Sequence, residues 1–291
     1  MGRTTTNQAA SIKQRLLNLA RKEGRVYDVV LVRYALERLL YRLSISDHRD
    51  SFILKGGMLV TLWIEGGNRE TRDAYFLGFG DASTDSLKAT FAEVMAINAD
   101  DGLIFDVEAL TAMTIREDME YEGVRLRTVA FLEKSRIQVT IDVGFGDAIA
   151  AGAQPFAYPS LLGMETPRIR TYPPATVVAE KFQAMVALGI ANGRMKDYFD
   201  LWAIAKAVPV SDGELDAAIQ ATFERRRTAV PSERPPGLSK ALSADDVKQR
   251  QWRAYAQSID LPNLSLEEAV DTVWALVGPA CSRLNSSAID E

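Results

Sequence analysis

"RETRDAYFLGFGD", residues 69–81, is the stretch whose reading decides the fold. A polar turn rich in Arg and Thr delivers Asp73 to the mouth of an apolar run, Ala74 to Leu77. Carboxylates are rarely placed at a buried run unless they have a partner. The run has strand length and ends in glycines, so residues 73–79 read as a strand. Side chains two apart on a strand point the same way, so Tyr75 shares a side with Asp73.

A second carboxylate lies on a second strand. In "IQVTIDVGFGD", residues 137–147, Ile137, Val139, Ile141 and Val143 face one way, while Gln138, Thr140 and Asp142 face the other. Two acids on neighbouring strands repel unless a cation lies between them. Together they can share a divalent ion that holds a nucleoside triphosphate. The plainer alternative has Asp73 capping its turn and Asp142 solvated.

Working outward, "EGVRLRTVAFL" alternates ahead of this strand and reads as its antiparallel neighbour. A helix is expected at 84–98 and a strand near 103–108. Two helices open the chain. In the second, "VYDVVLVRYALERLLYRLSI", apolar residues form a broad face, and Arg33, Glu37, Arg38 and Arg42 are expected on the opposite, solvated side. "SFILKGGMLVTLWI" reads as a short strand, a glycine turn at Gly56-Gly57 and a new helix. Beyond "GDAIAAGAQPFAYPSLLG" the pattern turns helical, with helices expected through "YPPATVVAEKFQAMVALGIANG", "RMKDYFDLWAIAKAV" and about 211–227, 244–258 and 265–285. The expected organisation is an α+β mixed-sheet domain over 1–170 and a helical domain over 171–291.

Composition narrows the chemistry. The chain has 291 residues, 47% hydrophobic and 25% charged, with a net charge of -5. That balance argues against a wholly basic nucleic-acid binder, though a local basic patch remains compatible. Candidates for such a patch are Arg225, Arg226 and Arg227, then Lys248, Arg250 and Arg253 interleaved with Trp252 and Tyr255. Cys281 is the single cysteine and His48 the single histidine. Disulfide frameworks, thiolate zinc sites and His-rich metal sites are excluded, so any metal would take oxygen ligands, as Mg2+ or Mn2+ do. No apolar leader or membrane-length run is seen, and a cytoplasmic protein without a membrane partner is expected.

Further residues stand out. Gly56 and Gly57 would let backbone N–H groups approach a phosphate, although such pairs more often mark an ordinary turn. Lys181 lies on an apolar helical stripe, where a lysine either snorkels outward or is held inward by an anion. Asp200 sits among Phe199, Leu201 and Trp202, with Lys196 one turn earlier as a possible partner and Asp197 as a possible cap.

Together, "FILKGGMLV", "RETRDAYFLGFGD", "IQVTIDVGFGD", "ATVVAEKFQAMV" and "RMKDYFDLWAI" resemble, in order and spacing over roughly residues 50–205, the AbiEii/AbiGii toxin family of nucleotidyltransferase-like proteins. The resemblance implies a polymerase-β-like nucleotidyltransferase core with a helical C-terminal region. It implies metal-dependent transfer of a nucleotide from NTP to RNA, with the tRNA acceptor end as target, and an AbiEi-like antitoxin as partner. Abortive phage infection is the implied setting, and GTP binding without transfer is the alternative. Carried over by position, Gly56, Gly57, Arg69 and Thr71 would contact nucleotide, and Asp73 and Asp142 would bind metal. Lys181 would contact phosphates, and Asp200 would complete the catalytic set with Asp73 and Lys181.

One departure bears on activity. The family's metal-binding pair is Asp-x-Asp, and the second position here is Tyr75. A neutral phenol is a poor magnesium ligand. Three explanations stand: a weakened or repurposed member that still binds nucleotide, a detoxifying substitution, or replacement of the lost oxygen by Asp81 or Asp142.

Overall fold

The computed structural model describes residues 2–64, 69–117 and 121–287. Helix α1 (Gly2–Glu23) stops at Gly24, whose φ of 63° an L side chain would resist, and α2 (Tyr27–Ser44) follows. Next come β1 (Phe52–Lys55), α3 (Gly57–Trp63), β2 (Asp73–Gly78) and α4 (Thr84–Ala96), the last capped by the Ser83 side chain. Strands β3 (Leu103–Phe105), β4 (Thr111–Glu117), β5 (Tyr121–Leu132) and β6 (Ser135–Phe145) continue the chain, then β7 (Gln154–Ala157) and β8 (Arg168–Thr171). The remaining helices are α5 (Pro174–Leu188), α6 (Met195–Ala207), α7 (Asp212–Arg225), α8 (Lys240–Ala244), α9 (Asp246–Ser258) and α10 (Leu266–Ser287).

The chain is α+β, with a mixed sheet and flanking helices, and it forms two compact units. The first comprises Met1–Met58, Thr71–Gly146 and Gln154–Thr171. The second comprises Leu59–Glu70, Asp147–Ala153 and Tyr172–Glu291. In the first unit the strand order is β3-β5-β6-β2-β1-β8-β7, with β4 also paired to β5. Strand β2 runs parallel to β6 and β1 parallel to β8, and the other pairings are antiparallel. Phe52 and Phe76 lie on the apolar face of the sheet and meet Phe91 of α4 at ring separations of 5.1 and 6.1 Å.

Strands β4, β7 and β8 were not expected from the sequence. The last two have four residues each, and Pro155 lies within β7, so local alternation is too brief to register. A second correction concerns α2. Glu37, Arg38 and Arg42, expected on a solvated face, are buried. Arg42 grips both oxygens of buried Asp101, Arg38 reaches the same carboxylate at 3.3 Å, and Glu37 accepts the Leu161 N–H at 2.8 Å. The helix is enclosed on its polar side too, which is tolerable because each charge has a partner.

In the helical unit the boundaries follow their chemistry. Pro174 starts α5, Ser211 and Glu214 form a capping box on α7, and Asp245 caps α9. Gly237 passes so close to the end of α5 that a Cβ there would lie 2.1 Å from the Met185 carbonyl oxygen. Its own carbonyl accepts the Tyr198 hydroxyl at 2.8 Å. Among the described residues, no helix is long and apolar enough to cross a membrane.

Candidate functional site

The polar face of the sheet carries a row of four side chains fixed by strand register. Lys55 of β1 lies opposite Tyr75 of β2, Tyr75 opposite Asp142 of β6, and Asp142 opposite Arg125 of β5. Directly opposed residues share a face and bring their Cβ atoms within about 5 Å of each other. One step along, Asp73 lies beside Thr140, and Thr140 beside Arg127. Asp73 and Asp142 therefore do come to neighbouring strands on one face.

Their partners differ from the expectation. Arg125 donates from Nε and Nη2 to the two carboxylate oxygens of Asp142, both at 2.7 Å. Asp142 is 1% exposed, while the Arg125 side chain is 30% exposed. The bond to Asp142 is the largest influence on the guanidinium and raises its pKa above the usual arginine value, with Tyr75 and Asp73 adding to the effect. The Tyr75 hydroxyl donates to Oδ2 of Asp73 at 3.2 Å. Its ring also covers the glycine turn: a Cβ built on Gly56, where φ is 73°, would lie 3.3 Å from the tyrosine Cβ. Thr71 donates its hydroxyl to the Asp73 backbone carbonyl at 3.3 Å, tying down the strand entrance.

Two suggestions for replacing the missing oxygen at position 75 do not hold. Asp81 is exposed and turns back on its own loop, accepting the backbone N–H of Ser83 at 2.9 Å and its hydroxyl at 3.0 Å. Asp142 has both oxygens committed to Arg125.

The second group of expected residues lies within the helical unit. Asp200 of α6 is fully buried, and Arg69 grips it with a fork, Nε to Oδ1 at 2.9 Å and Nη2 to Oδ2 at 2.8 Å. Lys181 of α5 reaches Asp200 at 3.0 Å and also bonds Asp197. Lys181 does not snorkel outward; the anions that hold it are the protein's own carboxylates. Burial works against the charge on Lys181, but Asp197 and Asp200 outweigh it and raise its pKa. Burial likewise opposes ionisation of Asp200, and Lys181 and Arg69 overcome this to hold its pKa low. Two cations and two carboxylates thus form a neutral cluster in which Arg69 and Asp200 are buried and Lys181 and Asp197 are partly buried. The sequence suggested Lys196 as a partner for Asp200; Arg69, 131 positions away, was not foreseen in that role.

Of the basic surface expected from the sequence, Arg225, Arg227, Arg250 and Arg253 are exposed, while three other members are engaged by the fold. Trp252 is core, its indole N–H donating to the Leu264 carbonyl at 2.6 Å. Lys248 is buried and donates to the Ala191 carbonyl at 3.2 Å. Arg226 bonds Asp147 and Gln183.

Arg125 was missed, although a signal was present. The two-residue turn at Glu133-Lys134 puts Leu132 opposite Ser135, and counting back along both strands sets Arg125 opposite Asp142. Glu133 has a φ of 51°, as tight hairpin turns require.

Comparison with known proteins bears on what this arrangement belongs to. No curated protein sequence matched. Two solved structures from Helicobacter pylori are similar in outline. One, described as a nucleotidyltransferase, has 16% identity and a TM-score of 0.46 over 87% of this chain and 94% of its own. The other, JHP933, has 15% identity and a TM-score of 0.47 over 88% and 93%. The family described as "Nucleotidyl transferase AbiEii toxin, Type IV TA system" matches residues 38–275, most of the chain and all of the residues of the polar row and of the Asp200 cluster. The chain belongs to the AbiEii nucleotidyltransferase toxin family.

Proposed function

We propose that the chain is the toxin half of a toxin–antitoxin pair, that it takes a nucleoside triphosphate and transfers a nucleotide to RNA in the cytoplasm, and that Tyr75 slows the transfer step. The acceptor end of tRNA is the proposed target and an AbiEi-like antitoxin the proposed partner. The observation that carries the reading is the placement of Tyr75 in the polar row, between Lys55 and Asp142 and hydrogen-bonded to Asp73. An aspartate at 75 would join Asp73 on the same face, flanked by Lys55.

The proposed roles follow from what each group can do. Asp73 is the carboxylate for the reacting end of the nucleotide, held in place by Thr71. Gly56 and Gly57 form the turn that approaches phosphate. Lys181 as a phosphate contact rests on its motif position, with Asp200 and Arg69 as the groups that orient it. Such enzymes generally use a divalent cation with NTP. The donors here do not fit a two-metal centre: Tyr75 is a phenol and both oxygens of Asp142 are held by Arg125. Among the described residues, no group of three or more His, Cys, Asp or Glu could hold a metal ion. Slow transfer follows, because in-line displacement loses stabilisation of the attacking and leaving oxygens.

A second reading, a nucleotide-binding module without transfer that acts through its antitoxin or another protein, is favoured by that same Arg125–Asp142 pair. Incubation with labelled NTPs and total tRNA separates the two, run beside the Tyr75→Asp variant and with growth followed on induction. The transferase reading expects weak labelling by the unmodified chain, and strong labelling with growth arrest by the variant. A variant that labels no RNA and leaves growth untouched would leave the binding-module reading standing.

A further inference from the structure

We propose that Arg125 is a phosphate-binding residue that takes, at Asp142, the place of a divalent cation. This deepens the nucleotide reading above and rests on it. Asp142 is buried in the middle of a sheet, where an unpaired carboxylate would be costly. Something positive must face it, and the guanidinium of Arg125 does so with two bonds of 2.7 Å.

The geometry leaves the outer edge of Arg125 available. Nε and Nη2 are turned to Asp142, and among the described residues Nη1 makes no further hydrogen bond. The side chain is 30% exposed against 1% for its partner, so the fork grips inward while its other edge faces outward. A guanidinium has five N–H donors in a plane and matches phosphate oxygens as well as carboxylate oxygens. The surroundings favour an anion. The two rows on this face present Lys55, Arg125 and Arg127 beside the two carboxylates Asp73 and Asp142, with the neutral phenol of Tyr75 between them. An aspartate at 75 would add a third carboxylate to this face and raise its demand for a bound cation. Tyr75 and Arg125 are thus two parts of one exchange, in which a fixed cation replaces a bound one.

Two titrations on the full-length protein test this. Inorganic tripolyphosphate, added in the presence of a chelator, is expected to bind the unmodified chain saturably. Arg125→Gln is expected to weaken that binding at least tenfold, and Arg125→Lys to give an intermediate loss, since an ammonium cannot serve both partners. Mn2+, followed by its spin-resonance signal, is expected to bind at least tenfold more tightly to Arg125→Gln than to the unmodified chain, because Asp142 is released. Failure of tripolyphosphate to bind the unmodified chain without metal overturns the proposal. So does equal Mn2+ affinity in folded variants. Should Arg125→Gln not fold, Arg125→Lys carries both arms: undiminished tripolyphosphate affinity there overturns the proposal. Neither arm depends on nucleotide transfer, so a chain that transfers but fails here refutes only the role of Arg125. A chain that passes here but never transfers refutes the function reading.

Discussion

Replacing Asp200 with asparagine isolates the buried cluster of the helical unit. The change keeps shape and removes charge. Arg69 loses an ionised partner bonded at 2.8 and 2.9 Å, and Lys181 loses one at 3.0 Å, leaving Asp197 to balance buried Arg69 and partly buried Lys181. Removing one partner of a buried pair costs about 3–5 kcal/mol. For a domain-sized transition this corresponds to a fall in Tm of roughly 8–16 °C. The readout is selective, because Trp63, Trp202, Trp252 and Trp274, all the tryptophans of the chain, lie in the second unit. Intrinsic fluorescence during urea unfolding therefore reports that unit. The pH dependence has a definite sign. The pKa of Asp200 is lowered in the folded state, so its contribution is present above the unfolded carboxylate value near 4 and is lost as pH falls through the folded one. Lys181 has a raised pKa, so its contribution is full below about 10 and is lost as pH rises further. The gap between the unmodified chain and Asp200→Asn should thus be widest in the neutral range and narrow in acid below about pH 4. A loss under about 1 kcal/mol, unchanged between pH 7 and pH 3, would refute the reasoning.

Three other outcomes are expected. Gly237→Ala should cost about 3 kcal/mol or more in the same fluorescence assay, because its Cβ would collide with the Met185 carbonyl. Asp101→Asn should cost about 3–5 kcal/mol in the first unit, seen as faster amide exchange in α2 with little change in tryptophan fluorescence. Gly56→Ala should cost about 1–2 kcal/mol from its positive φ. Two of the three Tyr75 atoms nearest that added Cβ, its Cβ and Cγ, have counterparts in an aspartate, so Gly56→Ala and Tyr75→Asp together should cost about their sum in a double-mutant cycle.

Periodicity made much of the fold legible. Strict alternation in residues 135–145 placed Asp142 on the polar face, and the apolar spacings of α1, α5 and α10 marked helices before any contact was known. These signals are local, because side-chain period and secondary structure are set within a few residues. What stayed hidden was set by distant pairing. Arg38 and Arg42 look like a solvated face until Asp101, about sixty positions on, is packed against them. Arg69 reads as a nucleotide contact by motif, yet it spends its fork on Asp200, and no local pattern carries that information. Arg125 is the intermediate case. The hairpin turn fixes its register to Asp142, but the meaning of the pair emerges only beside Tyr75.

The rate of nucleotide incorporation into tRNA by Tyr75→Asp, measured against the unmodified chain at equal protein and saturating NTP and Mg2+, tests the central claim most directly. Restoring a carboxylate beside Asp73 should recover roughly 3–4 kcal/mol of barrier, an acceleration on the order of a hundred- to a thousandfold. Equal rates in a folded variant would contradict the account, since Tyr75 would then not be what limits transfer.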